Sequence, residues 1–129
     1  MEISIETTQH TQFVDITDRI QAELDKFPKA KNASSLAIFV PHTTAGITIN
    51  EHADPDVVAD IITALDKLVP WRASYRHTEG NSAAHIKAVL TGSSVTVPLR
   101  DGRLQLGTWQ GIYFCEFDGP RQRRVRLCL

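Results

Sequence analysis

Cysteine is scarce in this chain: Cys115 and Cys128 are the only two among 129 residues. That number excludes a disulfide framework of the kind that holds small secreted domains together. If residues 111–117 and 122–129 form a hairpin closed at Asp118-Gly119-Pro120-Arg121, Cys128 lies opposite Gly111. It is then roughly 13 Å along the strand from Cys115, beyond disulfide reach. Two free, buried thiols are the expectation. A basic excess is also missing. A net charge of -1 and a pI near 6.5 exclude a dedicated nucleic-acid binder. No apolar run approaches the length of a membrane span. The opening Met1-Glu2-Ile3-Ser4-Ile5-Glu6 alternates and carries acids, unlike the basic and apolar regions of a signal peptide. A cytoplasmic protein with no membrane partner is expected. Internal repeats, linkers and low-complexity segments are absent. With 42% hydrophobic residues in this length, one domain spanning residues 1–129 is predicted.

What is present is a series of short, well-punctuated elements. Residues 1–8 alternate apolar and polar, and residues 12–16 continue the pattern after a turn, so both read as strands. A helix starts at Asp15 or Thr17, sets Ile16, Ile20, Leu24 and Phe27 on one face, and closes at Pro28. Residues 29–32 read as a loop. Residues 35–40 form a short apolar strand, Pro41-His42-Thr43 a break, and residues 45–50 a strand rich in β-branched side chains. Asp54-Pro55-Asp56 is a strong helix start, with Asp54 as N-cap and Pro55 in the first position. Val58, Ile61, Ile62, Leu65, Leu68 and Val69 follow at helical spacing until Pro70. Asn81 is placed to cap a shorter helix over residues 82–90. Residues 92–99 and 104 onward read as strands around a tight Arg100-Asp101-Gly102-Arg103 turn. The order ββαββααββββ, with its hairpins, predicts an α+β fold of largely antiparallel sheets packed with two or three helices.

Chemistry concentrates around His77-Thr78-Glu79-Gly80-Asn81-Ser82-Ala83-Ala84-His85. Alternation puts His77 and Glu79 on one side of an extended segment, and His85 falls about one turn inside the helix that Asn81 opens. His42, on the break after the apolar strand, supplies a third imidazole. Three neutral imidazoles form a ligand set that zinc or a similar divalent metal accepts. Each histidine taken singly is more often a hydrogen-bonded or surface residue than a ligand. Glu79 has four readings: a ligand, a general base, the acceptor that orients a histidine, or a solvated loop acid. His10 and His52 are read as ordinary polar residues. Six arginines lie in the last thirty residues. Arg124 and Arg126 read as a solvated strand edge, while Arg100, Arg103 and Arg121 sit at turns and suit a phosphate. Trp109, between Gly107 and Gly111, reads as a stacking surface, a subunit contact or a core residue.

Pro41-His42-Thr43-Thr44-Ala45-Gly46, His77-x-Glu79-Gly80-Asn81 with His85, Asp101-Gly102-Arg103-Leu104-x-Leu106-Gly107-Thr108-Trp109-Gln110-Gly111 and Glu116-Phe117-Asp118-Gly119-Pro120-Arg121 follow one another in order. Together they resemble the YjbQ-like family of secondary thiamine-phosphate synthases over residues 40–125. The resemblance implies a homotrimer with its histidines at a metal or anion site near a subunit interface. It implies weak synthesis of thiamine phosphate from an aminopyrimidine diphosphate and a thiazole phosphate, with release of diphosphate. On that reading His42, His77 and His85 hold metal or phosphate, Glu79 handles a proton, and Asn81 and Trp109 complete the substrate site. Arg100, Arg103 and Arg121 grip phosphate. Ligand type favours zinc, whereas diphosphate chemistry favours magnesium or manganese. Two other functions fit the same residues: a metal-dependent hydrolase of a phosphorylated metabolite, and a non-catalytic trimer that binds metal or an anion.

Overall fold

Alternation at the N-terminus turns Ile3 and Ile5 inward, and both are buried in strand β1 (Glu2–Glu6). A computed structural model describes all of residues 1–129. After β1 come β2 (Gln12–Asp15), α1 (Thr17–Leu24), a 3-10 turn at Pro28–Asn32, β3 (Ser35–Phe39) and β4 (Ala45–Glu51). Then follow α2 (Pro55–Leu68), α3 (Ser82–Thr91), β5 (Ser94–Arg100), β6 (Arg103–Leu104), β7 (Gln110–Glu116) and β8 (Gln122–Cys128). The order is the ββαββααββββ that the patterning predicts, in a single α+β domain. No helix is long and apolar enough to cross a membrane.

The strands make two antiparallel sheets, one of five strands in the order β1-β8-β3-β5-β6 and one of three in the order β2-β7-β4. Their facing sides, with Ile20 and Leu24 of α1, enclose the main core, which includes Ile5, Leu36, Ile38, Ile47, Phe114 and Leu127. Each large side chain buried there contributes about 1.5–3 kcal/mol. The second face of β7 is also apolar. Tyr113 and Cys115 join Phe117, Ala84 of α3 and Val58 and Leu65 of α2 in a smaller cluster, so the helical pair covers the back of the three-stranded sheet.

The pairing of β7 overturns the expected C-terminal hairpin. β7 pairs with β2 and β4, while β8 pairs with β1 and β3. Residues 118–121 therefore form a corner between sheets. Both hydrogen-bonding edges of β7 are taken, one by β2 and one by β4, so no edge is left for β8. The cysteines are free, as expected, but only Cys115 is buried and Cys128 is exposed. Burial pushes the Cys115 thiol well above its ordinary value.

Helix α2 starts as its sequence predicts: Asp54 Oδ1 accepts the Asp56 amide at 2.9 Å. None of its residues is fully buried, however, and Leu68 is 74% exposed. Helix α3 likewise leaves Ile86, Val89 and Leu90 in the open. Its C-terminal end is pressed onto β4, where Ile47 N donates to Gly92 O at 3.0 Å. At the Arg100–Arg103 turn, Asp101 and Gly102 take φ values of 51° and 78°, the left-handed pair that a tight Asp-Gly hairpin needs.

Candidate functional site

The corner between β7 and β8, the break after β3 and the start of α3 meet at one cleft of about 440 Å³. Its walls are Pro41, His42, Thr43, Thr44, Glu79, Asn81, His85, Asp118, Arg121 and Arg123, without one hydrophobic side chain. An apolar hollow adjoins it, sharing His42, Thr43 and His85 and adding Ala45, Ala88 and Val89.

Beneath the cleft lies a buried ion pair. Arg123 Nε donates to Glu116 Oε1 at 2.9 Å and its Nη2 to Glu116 Oε2, and the two side chains are 3% and 0% exposed. Arg123 Nη2 also donates to Thr44 Oγ1 at 2.8 Å, and Thr7 Oγ1 to Glu116 Oε1 at 2.8 Å. Burial alone would raise the Glu116 carboxyl. The hydrogen bonds from Arg123, Thr7 and the Asp118 amide outweigh it and hold the group below its ordinary value.

His42 Nε2 accepts the Arg124 amide at 3.0 Å. Burial, and next the Arg123 guanidinium, push its ring below the ordinary histidine value. The ring is therefore neutral near pH 7, and with Nε2 accepting, its proton sits on Nδ1. His42 is a fixed N–H donor at the cleft wall. Asn81 holds the N-cap position of α3, but its side chain does not cap. The Asn81 carbonyl accepts the Ala84 amide at 3.0 Å, while Nδ2 donates to Asp118 Oδ2 at 3.0 Å. Asn81 Oδ1 is buried without a protein partner. Arg121 Nε donates to the Asp118 carbonyl at 2.9 Å, and its Nη2 lies 3.3 Å from Asp118 Oδ2. Asp118 thus joins the start of α3 to the β7–β8 corner. Outside the mouth, His77 meets His85 edge-on with ring centroids 5.6 Å apart, and its Nε2 lies 3.6 Å from Glu79 Oε2.

The predicted residues divide accordingly. His42, Glu79, Asn81, His85 and Arg121 line one cleft, and His77 stands at its edge against His85. Arg100 and Arg103 lie at the β5–β6 turn outside the cleft lining, where Arg103 Nη1 is 3.6 Å from Asp25 Oδ1. Trp109 is 62% exposed just before β7, so it is not a core residue. It also stands outside the cleft lining. His52, read as an ordinary polar residue, makes a 2.8 Å contact with Asp15 Oδ2. Asp118, Glu116 and Arg123 were missed as members of the site. Arg123 carried a readable signal: parity puts it on the inward face of β8 with Val125 and Leu127, where a charge requires a buried partner.

A three-histidine metal centre does not fit the side chains of one chain. No three His, Cys, Asp or Glu residues gather in metal-holding geometry. The Nε2 lone pair of His42 is already committed to the Arg124 amide. The cleft lining brings cationic and anionic groups together, Arg121 and Arg123 beside Glu79 and Asp118, with His42, Thr43 and Thr44 among them.

A family model described as UPF0047 protein YjbQ-like matches residues 1–129. The chain belongs to the YjbQ-like UPF0047 family. It is 51% identical over 122 residues to the UPF0047 protein YugU of Bacillus subtilis, covering 94% of this chain and 91% of that protein. To the UPF0047 protein MJ1081 of Methanocaldococcus jannaschii it is 52% identical over 119 residues, covering 92% and 85%. Two crystal structures superpose closely. An uncharacterized conserved protein of the same family from Clostridium acetobutylicum gives a TM-score of 0.93 at 52% identity, covering 99% and 98% of the two chains. The conserved hypothetical protein TT1486 of Thermus thermophilus gives 0.91 at 41% identity, covering 100% and 98%. This YjbQ-like chain shares its whole fold with those proteins.

Proposed function

We propose that the cleft binds the phosphate end of a small phosphorylated metabolite and that the reaction to assign first is a weak, secondary synthesis of thiamine phosphate. The observation that carries the binding step is the lining itself. His42, Thr43, Thr44 and Arg121 line this polar cavity, and a guanidinium with neighbouring N–H and O–H groups suits phosphate oxygens. The choice of reaction rests on the motif resemblance. In it the bond between the aminopyrimidine methylene and its diphosphate breaks, the departing diphosphate keeps the electron pair, and the thiazole nitrogen forms the new C–N bond. Arg121 and His42 stabilise the charge that develops on the leaving diphosphate. His85 gives that group a proton, and Glu79 orients His77 against His85.

The same proposal includes a homotrimer. Ile86, Val89 and Leu90 of α3 form an open apolar ridge beside the cleft, and an apolar patch next to a polar site suits a subunit contact. The side chains of one chain gather no ligand set for a zinc, magnesium or manganese ion, and the reaction is written here through the protein's own residues.

The test is production of thiamine phosphate from the two substrates by purified protein, measured by thiochrome fluorescence. His85→Ala and Arg121→Ala are each expected to lower the rate by about 10²-fold or more while the far-ultraviolet circular dichroism stays native. Equal turnover in wild type and both variants refutes the synthase. Release of inorganic phosphate from single phosphorylated metabolites instead assigns the cleft to a hydrolase.

A further inference from the structure

A second pocket, of about 430 Å³, is lined by His10, Thr11, Asp66, Trp71 and Lys87. That volume falls within the roughly 300–1,000 Å³ typical of small-molecule sites. The pocket neighbours the polar cleft, with His10 Nε2 standing 3.9 Å from Asp118 Oδ1. None of its five residues takes part in the chemistry proposed for that cleft.

Lys87 is the most deeply placed of the five, with a side chain only 4% exposed. An ammonium at that depth needs acceptors for its three N–H groups. Within the protein it has one, Asp66 Oδ1. Asp66 is itself 56% exposed, and its second oxygen, Oδ2, makes no hydrogen bond to the protein. The pair therefore has unused capacity of both kinds, cationic N–H groups and a carboxylate oxygen, side by side in one pocket. Aromatic rings stand beside it: His10 and Trp71 meet at 87° with centroids 4.4 Å apart.

We propose that this pocket binds a free α-amino acid as its zwitterion. The ligand carboxylate accepts from Lys87, and the ligand ammonium donates to Asp66 Oδ2 beside Trp71, whose ring attracts a cation. Both ligand groups hang from one Cα, so they stand as close together as the ion pair they meet. A lone anion at Lys87 would be repelled by Asp66, and a lone cation at Asp66 by Lys87. A zwitterion brings one charge of each sign and leaves the buried ammonium compensated throughout.

The chain has two tryptophans, so proton–nitrogen correlation spectra show two indole N–H signals. Loss of one in Trp71→Phe assigns it, and that of Trp109 serves as an internal control. Titration of the wild type with L-alanine or L-phenylalanine is expected to shift the Trp71 signal to saturation. Propionate and ethylamine, or phenylpropionate and phenethylamine, keep the same carbon skeletons with one charge each. Each is expected to bind about tenfold or more weakly than its parent, the scale of losing one charged hydrogen bond. Asp66→Asn and Lys87→Met are expected to weaken amino-acid binding by the same factor. If Lys87→Met unfolds, Asp66→Asn and the single-charge analogues carry the test. A shift that stays linear with both amino acids, an analogue that binds as tightly as its parent, or unchanged affinity in the folded variants overturns the proposal. Saturation of the Trp71 signal by inorganic phosphate also overturns it, making the pocket an anion site. No synthase assay enters, so this result and the cleft's function fail or stand separately.

Discussion

Breaking the Glu116–Arg123 pair tests most directly how the cleft is held together. Both side chains are essentially without solvent contact, and Arg123 anchors both Glu116 and Thr44. Replacing Arg123 with Met leaves a carboxylate buried with only Thr7 and an amide for company. Loss of one partner from such a pair costs about 3–5 kcal/mol. For a domain of this size that lowers Tm by about 10–20 °C, out of a total stability of about 5–15 kcal/mol. Glu116→Leu strands the guanidinium and is expected to cost as much. The double variant Arg123→Met/Glu116→Leu removes both charges and should recover most of either loss, a coupling of about 3 kcal/mol or more. Urea unfolding followed by circular dichroism at one protein concentration measures all four proteins.

The pH dependence has a definite sign. In the wild type Glu116 lies below its ordinary value of 4.5, so its contribution is present above that pH and is lost as pH falls through the folded-state value. In Arg123→Met burial, the largest influence on the group, is no longer outweighed and raises the carboxyl, so that protein gains stability as pH falls from 7 towards 4.5 relative to wild type. The gap between the two therefore narrows. Single variants that cost less than about 1 kcal/mol, or a double variant that costs the sum of the two, refute the argument.

His42 lies below its ordinary value of 6.5, so the unfolded chain takes up more protons as pH falls below that point. Stability is expected to drop on that limb, and His42→Asn to flatten it, in urea midpoints measured between neutral and mildly acidic pH. A Cβ on Gly46 would stand 2.7 Å from the Gly92 carbonyl and 3.0 Å from Thr91 Cγ2. Gly46→Ala should cost about 1–3 kcal/mol by prying α3 off β4, and an unchanged denaturation midpoint would contradict that close approach. Val89→Glu places a charge on the open ridge of α3, where Val89 is 81% exposed. Light scattering after gel filtration should find a trimer in the wild type and monomer in the variant; an intact trimer in Val89→Glu removes the ridge from the contact.

Much of this molecule is legible in local pattern, because local pattern reports local causes. The period-two alternation of residues 2–6, the Asp54-Pro55 helix start and the Asp101-Gly102 turn each act within a few residues, and each forms where its chemistry says. The motif order points to His42, Asn81, His85 and Arg121, which line one cleft. What the sequence by itself determined was the order and kind of the elements and the residue types available for chemistry.

Only the tertiary structure decided which of those residues meet. Glu116 and Arg123 look like two sides of a hairpin, yet they become facing members of two sheets because β2 and β4 take both edges of β7 and β8 pairs with β1 instead. Asn81 reads as a helix cap, yet its amide reaches Asp118 across 37 positions of sequence. Arg103 reads as a phosphate anchor, yet it pairs with Asp25 away from the cleft. Charges and amides select partners by distance in space, and that distance is set by how two sheets and a helical layer share their apolar faces, a long-range balance that no local window contains.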